Sequence, residues 1–173
     1  QRRGYRHAAG QEPAVKLFVD IQNASGAPVP NDDDIRHWIA AALKGHTTRE
    51  HVEITVRLVD DAEMTQLNET YRGKKGATNV LSFPADLPPE LDLPLLGDIV
   101  ICAPVVAAEA AQQGKSASAH WAHMTIHGTL HLLGYDHIEE DDANTMEALE
   151  SAILGQLNYS CPYDIHLPRE NVS

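Results

Sequence analysis

The sequence predicts an α/β (α+β) fold: a single small mixed β-sheet with helices packed on it. Three observations carry that expectation. Two early segments alternate apolar and polar residues, as half-buried strands do. Longer segments repeat apolar residues at helical spacing, first between the strands and then as a block after them. The chain has 173 residues, 43% apolar and 22% charged, with no internal repeat, which is enough for one hydrophobic core.

The elements follow in order. Residues 1–13 carry Arg2, Arg3, Arg6 and His7 without apolar periodicity and read as a flexible N-terminal extension or a cloning remnant, leaving 14–173 as one domain. Val15, Leu17, Val19 and Ile21 alternate with Lys16, Phe18 and Asp20, predicting a strand. Asn23–Asn31 holds Gly26, Pro28 and Pro30 and is a loop. Asp32 and Asp33 then cap a helix with the apolar face Ile35, Trp38, Ile39, Ala42 and Leu43, ended by Gly45. Val52, Ile54, Val56 and Leu58 mark a second strand. Asp60 or Asp61 caps a helix carrying Met64, Leu67 and Tyr71 that stops near Gly73. Asn79–Phe83 and Asp98–Cys102 are short strands, separated by the proline-rich loop Pro84–Gly97. Pro104 suits the first turn of a helix ending at Gly114. Two further helices span about Ser116–Leu133 and Glu139–Leu154, the second with Ala143, Met146, Leu149 and Ile153 inward. The tail, with Pro162 and Pro168, is irregular.

Composition narrows the function classes. Lys plus Arg is 13 and Asp plus Glu is 25, a net charge of −12. So acidic a chain is a poor non-specific binder of nucleic acid or of an anionic membrane, and any RNA contact needs a local basic patch. No apolar run approaches a spanning helix and no signal peptide is visible, so a cytoplasmic protein is expected. Cys102 and Cys161 form no CxxC, which argues against a disulfide framework or a cysteine zinc site. The unusual number is ten histidines.

Several of them sit on the helix from Ser116. On a wheel of about 100° per residue, Ala122, Ile126, Thr129 and Leu133 form the expected buried stripe, and His120, His127 and His131 cluster on the far side. His127 and His131 are four residues apart, so their rings project from adjacent turns, as two ligands of one metal must. Gly134 lets the chain turn back and bring in His137 as a third ligand. Three neutral imidazoles leave a tetrahedral zinc ion one open position, where bound water is acidified towards neutrality. His120 lies roughly 10 Å along the axis from His127, too far to share the ion. His123 also stands four residues from His127, nearer the buried stripe, and reads as a packing residue or an outer hydrogen-bond partner of the ligands. Asp136 either orients a ligand histidine or caps the turn.

The ligand spacing is that of the metzincin metalloproteases, which carry a glutamate general base directly after the first histidine. Here that position is Gly128, which argues against peptidase chemistry.

The run from His127 to His137 matches the signature H-G-x-L-H-L-x-G-Y-D-H throughout, and on it the sequence resembles the YbeY family of bacterial rRNA-maturation endoribonucleases. Tyr71–Lys75, Thr78–Pro84, Leu96–Ile101, Ala119–His123 and Glu147–Glu150 also resemble family segments, in family order, so the likeness spans about Val15 to Tyr163. It implies a single-strand-specific, metal-dependent endoribonuclease acting in 16S rRNA 3′-end maturation and ribosome quality control. It implies His127, His131 and His137 as metal ligands and Arg72 as the catalytic arginine.

The residues around Arg72 agree with that implication. Arg72, Lys74 and Lys75 form the densest basic cluster outside the extension, and a guanidinium can clamp a phosphate and stabilise charge building on phosphorus. Thr78–Pro84 reads either as an edge strand along the metal cleft, with Asn79 and Ser82 offering polar contacts to substrate, or as an ordinary strand of the sheet. One divalent ion is expected, zinc first and nickel second, with no small-molecule cofactor. The expected partner is rRNA within a ribosomal particle, reached through protein partners, and not a membrane. The alternative reading is a non-catalytic, metal-stabilised ribosome assembly factor, with a metalloprotease behind it.

Overall fold

The alternating segments become parallel neighbours. A computed structural model describes residues 15–91, 93–135 and 140–160. The predicted extension, Asp136, His137, Cys161 and the proline-containing tail lie outside the described residues. Strand β1 (Lys16–Asn23) pairs in parallel with β2 (His51–Val59), and β2 with β4 (Leu95–Cys102). Strand β3 (Val80–Pro84) closes the other side, antiparallel to β4, so the order is β1-β2-β4-β3. The small mixed sheet expected from the sequence is present, with five helices: α1 (Asp32–Leu43), α2 (Asp61–Arg72), α3 (Ala103–Gln113), α4 (Ala117–Leu132) and α5 (Glu140–Gln156).

The two faces of the sheet have separate cores. Val52, Ile54, Val56 and Leu58 of β2 join Ile99 and Ile101 of β4 beneath α1, α4 and α5. The other face presents Val59, Leu81, Val100 and Cys102 to Met64 and Leu67 of α2 and Val105 of α3. Burying each large aliphatic side chain is worth about 1.5–3 kcal/mol, so the larger first core dominates stability.

The differences from expectation have physical reasons. The cap of α1 is Asn31, whose Oδ1 accepts from the Asp34 amide at 2.8 Å. Asp32 and Asp33 stand in the first turn instead, where the helix dipole favours them. Tyr71 is 65% exposed rather than inward, because it lies past the end of the smaller core, edge-on to Phe83 at 5.4 Å. The Pro84–Gly97 loop is shorter than expected. Its prolines confine helix to one 3-10 turn, Pro89–Leu91, but do not prevent Leu95 and Leu96 from extending β4. The Glu53 amide donates to the Pro94 carbonyl at 2.9 Å and holds that extension against β2. Gly97 makes the hairpin possible: its φ is 150°, and a Cβ there would stand 2.5 Å from the Phe83 carbonyl oxygen.

The largest correction concerns α4. A single buried stripe with the histidines on the side opposite does not describe it. The helix touches α1, α3, α5, β3 and β4, and His120 and His123 are buried along with Trp121, Met124 and Leu130. Its buried residues fall on most sides of the helix, the pattern of a core helix. Among the described residues no helix is long and apolar enough to cross a membrane.

Cys102 ends β4 in the smaller core, its thiol donating to Asp61 Oδ1 at 3.3 Å. Burial pushes the thiol up to about 11, so the reactive thiolate is scarce below that pH. Iodoacetamide at pH 8, followed by peptide mapping, is expected to spare Cys102 in the native protein and label it after denaturation.

Candidate functional site

Helix α4 starts on a strong local signal. The Ser116 hydroxyl oxygen accepts from the Ala119 amide at 3.1 Å, capping the first turn. The helix then carries four histidines in a ladder. Ring centroids are 5.9 Å apart for His120 and His123, 6.3 Å for His123 and His127, and 4.7 Å for His127 and His131. The last pair is the closest and its rings are less buried than those of His120 and His123.

The ladder is held by carboxylates from the flanking helices. Glu150 of α5 is fully buried and reaches two rungs at once. Its Oε1 lies 2.8 Å from His123 Nε2 and its Oε2 lies 2.5 Å from His127 Nδ1. Burial alone would raise this carboxyl, but the hydrogen bonds from His123 and His127 outweigh it and hold the group at about 2. Glu150 is therefore an ionised acceptor beneath the histidine pair. At the other end, Glu109 of α3 meets His120 Nε2 at 2.8 Å and accepts from the Asn79 side-chain amide at 3.1 Å. Burial, opposed by that Glu109 bond, lowers the pKa of His120 and favours its neutral form.

A close approach seats the helix on the sheet. Gly128 follows His127, and a Cβ on it would stand 2.9 Å from Ile99 Cγ2 and 3.3 Å from both Ser82 Oγ and Val80 Cγ2. The Ser82 hydroxyl donates to the Gly128 carbonyl at 2.9 Å, fastening edge strand β3 beside the first ligand candidate. This geometry alters the metalloprotease comparison. Position 128 is not an empty slot from which a base is missing. It is a wall contact, and a glutamate placed there would collide with β3 and β4.

The predicted residues thus fall into three places. His127 and His131 stand together, with His123 behind them on Glu150; Asp136 and His137 lie outside the described residues. Ser82 is beside them but spends its hydroxyl proton on the helix backbone, while Asn79, just before the same strand, donates its side-chain amide to Glu109. Arg72, Lys74 and Lys75 are exposed at and just after the end of α2, the helix packed on the other face of the sheet. The residue sequence reasoning missed as a site component is Glu150; Glu109 holds His120 and Asn79, away from the pair. Glu150 falls in a segment that resembles the family, and it stands four residues after Met146 and three before Ile153, so an acid on the expected inward face was the signal that could have found it.

The donor set fits a divalent cation. A metal-bound imidazole commonly gives its second ring N–H to a carboxylate, and His127 stands in that relation to Glu150. The 4.7 Å ring separation lets His127 and His131 reach one ion. Among the described residues no third His, Cys, Asp or Glu completes the group.

Comparison with known proteins agrees with the resemblance. The family model for "Endoribonuclease YbeY" matches residues 20–158. Among curated proteins, the Endoribonuclease YbeY of Pseudomonas putida (strain W619) is 58% identical over 148 residues, covering 85% of this chain and 93% of that protein. That of Pseudomonas fluorescens Pf-5 is 57% identical, covering 85% and 96%. That of Cellvibrio japonicus is 54% identical, covering 86% and 84%. The fold is similar to the solution structure of TM1509 from Thermotoga maritima, with a TM-score of 0.54 and 23% identity over 82% of this chain and 92% of that one.

The contact at Gly128 is directly testable. Gly128→Ala is expected to destabilise the protein by about 1–3 kcal/mol, the usual cost of overpacking, as read from a shifted midpoint in urea unfolding at unchanged slope.

Proposed function

The chain belongs to the YbeY endoribonuclease family, and on that premise we propose that it cleaves single-stranded RNA at a centre built on one divalent metal ion. The reading extends to maturation of the 16S rRNA 3′ end and to ribosome quality control, in the cytoplasm, on a ribosomal particle reached through protein partners. The observation that carries the metal centre is the His127–His131 pair, with Glu150 on the inner nitrogen of His127. His127, His131 and His137 would hold the ion, with zinc ahead of nickel for an imidazole set. Such an ion supplies Lewis-acid polarisation of the scissile phosphate and activation of the nucleophile.

The chain's own groups do the rest. Arg72 neutralises negative charge building on phosphorus, and Lys74 and Lys75 hold neighbouring phosphates. The nucleophile is water or the ribose 2′-hydroxyl, and the product ends tell them apart: a 5′-phosphate marks water, a cyclic phosphate marks the hydroxyl. A second reading draws on the net charge of −12, which weakens contact with free RNA: a metal-stabilised assembly factor that binds a ribosomal particle without cutting.

The deciding experiment incubates a 16S rRNA 3′-end fragment with zinc-loaded protein, chelated protein and the identically prepared His131→Ala variant. Cleavage is expected from the zinc-loaded wild type alone, and Arg72→Ala is expected to slow it by about 10²–10³-fold. Equal cleavage in all samples, or none, would leave the assembly-factor reading in its place, and zinc-dependent cleavage indifferent to Arg72 would remove Arg72 from the catalytic group.

A further inference from the structure

We propose that Glu150 decides which of two competing histidine pairs on α4 takes the metal ion, acting as a positioning residue through His127. The inference rests on the reading of α4 as a metal-binding helix and names a residue that the ligand spacing does not reveal. His123 and His127 are four residues apart, and so are His127 and His131. Helical spacing alone makes both pairs equally able to share an ion.

The carboxylate breaks the tie. The two Glu150 oxygens each face one ring nitrogen, at 2.8 Å and 2.5 Å, and carboxylate oxygens accept, so each of those nitrogens carries the proton between them. His127 faces it with Nδ1, and its lone pair therefore resides on Nε2, the outer nitrogen. His123 faces it with Nε2, so its own outer nitrogen is committed to Glu150 and its lone pair is on the inner one. One side chain thus sets opposite tautomers on neighbouring rungs. It readies His127 for the ion and withholds His123. The ring separations agree, at 6.3 Å for the withheld pair and 4.7 Å for the favoured one. Glutamine has nearly the same shape but one acceptor oxygen and one donor NH2. Placed at 150, it can satisfy only one of the two rings in its present tautomer.

The test uses full-length protein and zinc as the probe. Zinc affinity is measured by competition with a chromogenic chelator for wild type, Glu150→Gln and Glu109→Gln. Imidazole nitrogen shifts of the metal-free proteins are read by NMR. Glu150→Gln is expected to lose about 10–100-fold in zinc affinity, the usual effect of removing a ligand's carboxylate partner, with the tautomer of His127 or of His123 changed. Glu109→Gln removes the other histidine–carboxylate contact and is expected to lower the melting temperature while leaving zinc affinity at the wild-type value. Wild-type zinc affinity in Glu150→Gln, or an equal loss in both variants, overturns the proposal. If Glu150→Gln does not fold, the wild-type spectrum alone decides: protonated Nδ1 on His127 supports the assignment and protonated Nε2 overturns it. A wild type that binds no zinc removes the metal reading itself, before any variant is compared.

Discussion

The burial of α4 on nearly every side is the constraint from which the rest follows. A helix in that position satisfies its own backbone, but each polar side chain on it must find a partner in the protein or bear the cost of desolvation. Four histidines make that a severe demand. Two carboxylates meet much of it, Glu109 from the helix before and Glu150 from the helix after. The docking of α3 and α5 is therefore not set by apolar packing alone. Each helix delivers one acid to the ladder, Glu109 to His120 and Glu150 to both His123 and His127, and Ser82 adds a third attachment from the sheet edge through the Gly128 carbonyl.

Much of the fold was legible because burial on one face leaves a period in the sequence. The five apolar positions of α1 are the five residues it buries, and the alternating aliphatics of β2 all face the larger core. That logic fails where an element is buried on several faces. On α4 a helical wheel put His120 opposite the buried stripe, whereas His120 is itself buried and meets Glu109. The metal-ligand spacing was still readable, because helical geometry alone brings residues four apart onto one face. Its carboxylate support was not. Glu150 stands 23 residues from His127, and only the packing of two helices joins them. The proline-rich loop misled for another reason, since prolines exclude helix but do not exclude a strand start at Leu95.

The charge distribution follows a similar division between local and global. The chain carries an excess of negative charge, yet Arg72, Lys74 and Lys75 stand exposed together at one helix end. At physiological ionic strength fields between exposed charges fade over about 8 Å. A polyanion brought close therefore meets the nearby cations more strongly than the acidic remainder. Such a surface favours contact after delivery and penalises indiscriminate capture from solution.

The seat of Gly128 also bears on how this scaffold can change over time. A single base change that placed an acid after the first histidine would not confer a proteolytic base. It would drive a side chain into Ile99, Val80 and Ser82 and lift the edge strand from the helix. Any path from this site to peptide-bond chemistry must first widen the seam between helix and sheet, through steps that lower stability with no gain in activity. The two chemistries are neighbours in the spacing of their histidines and remote in the mutations that would connect them.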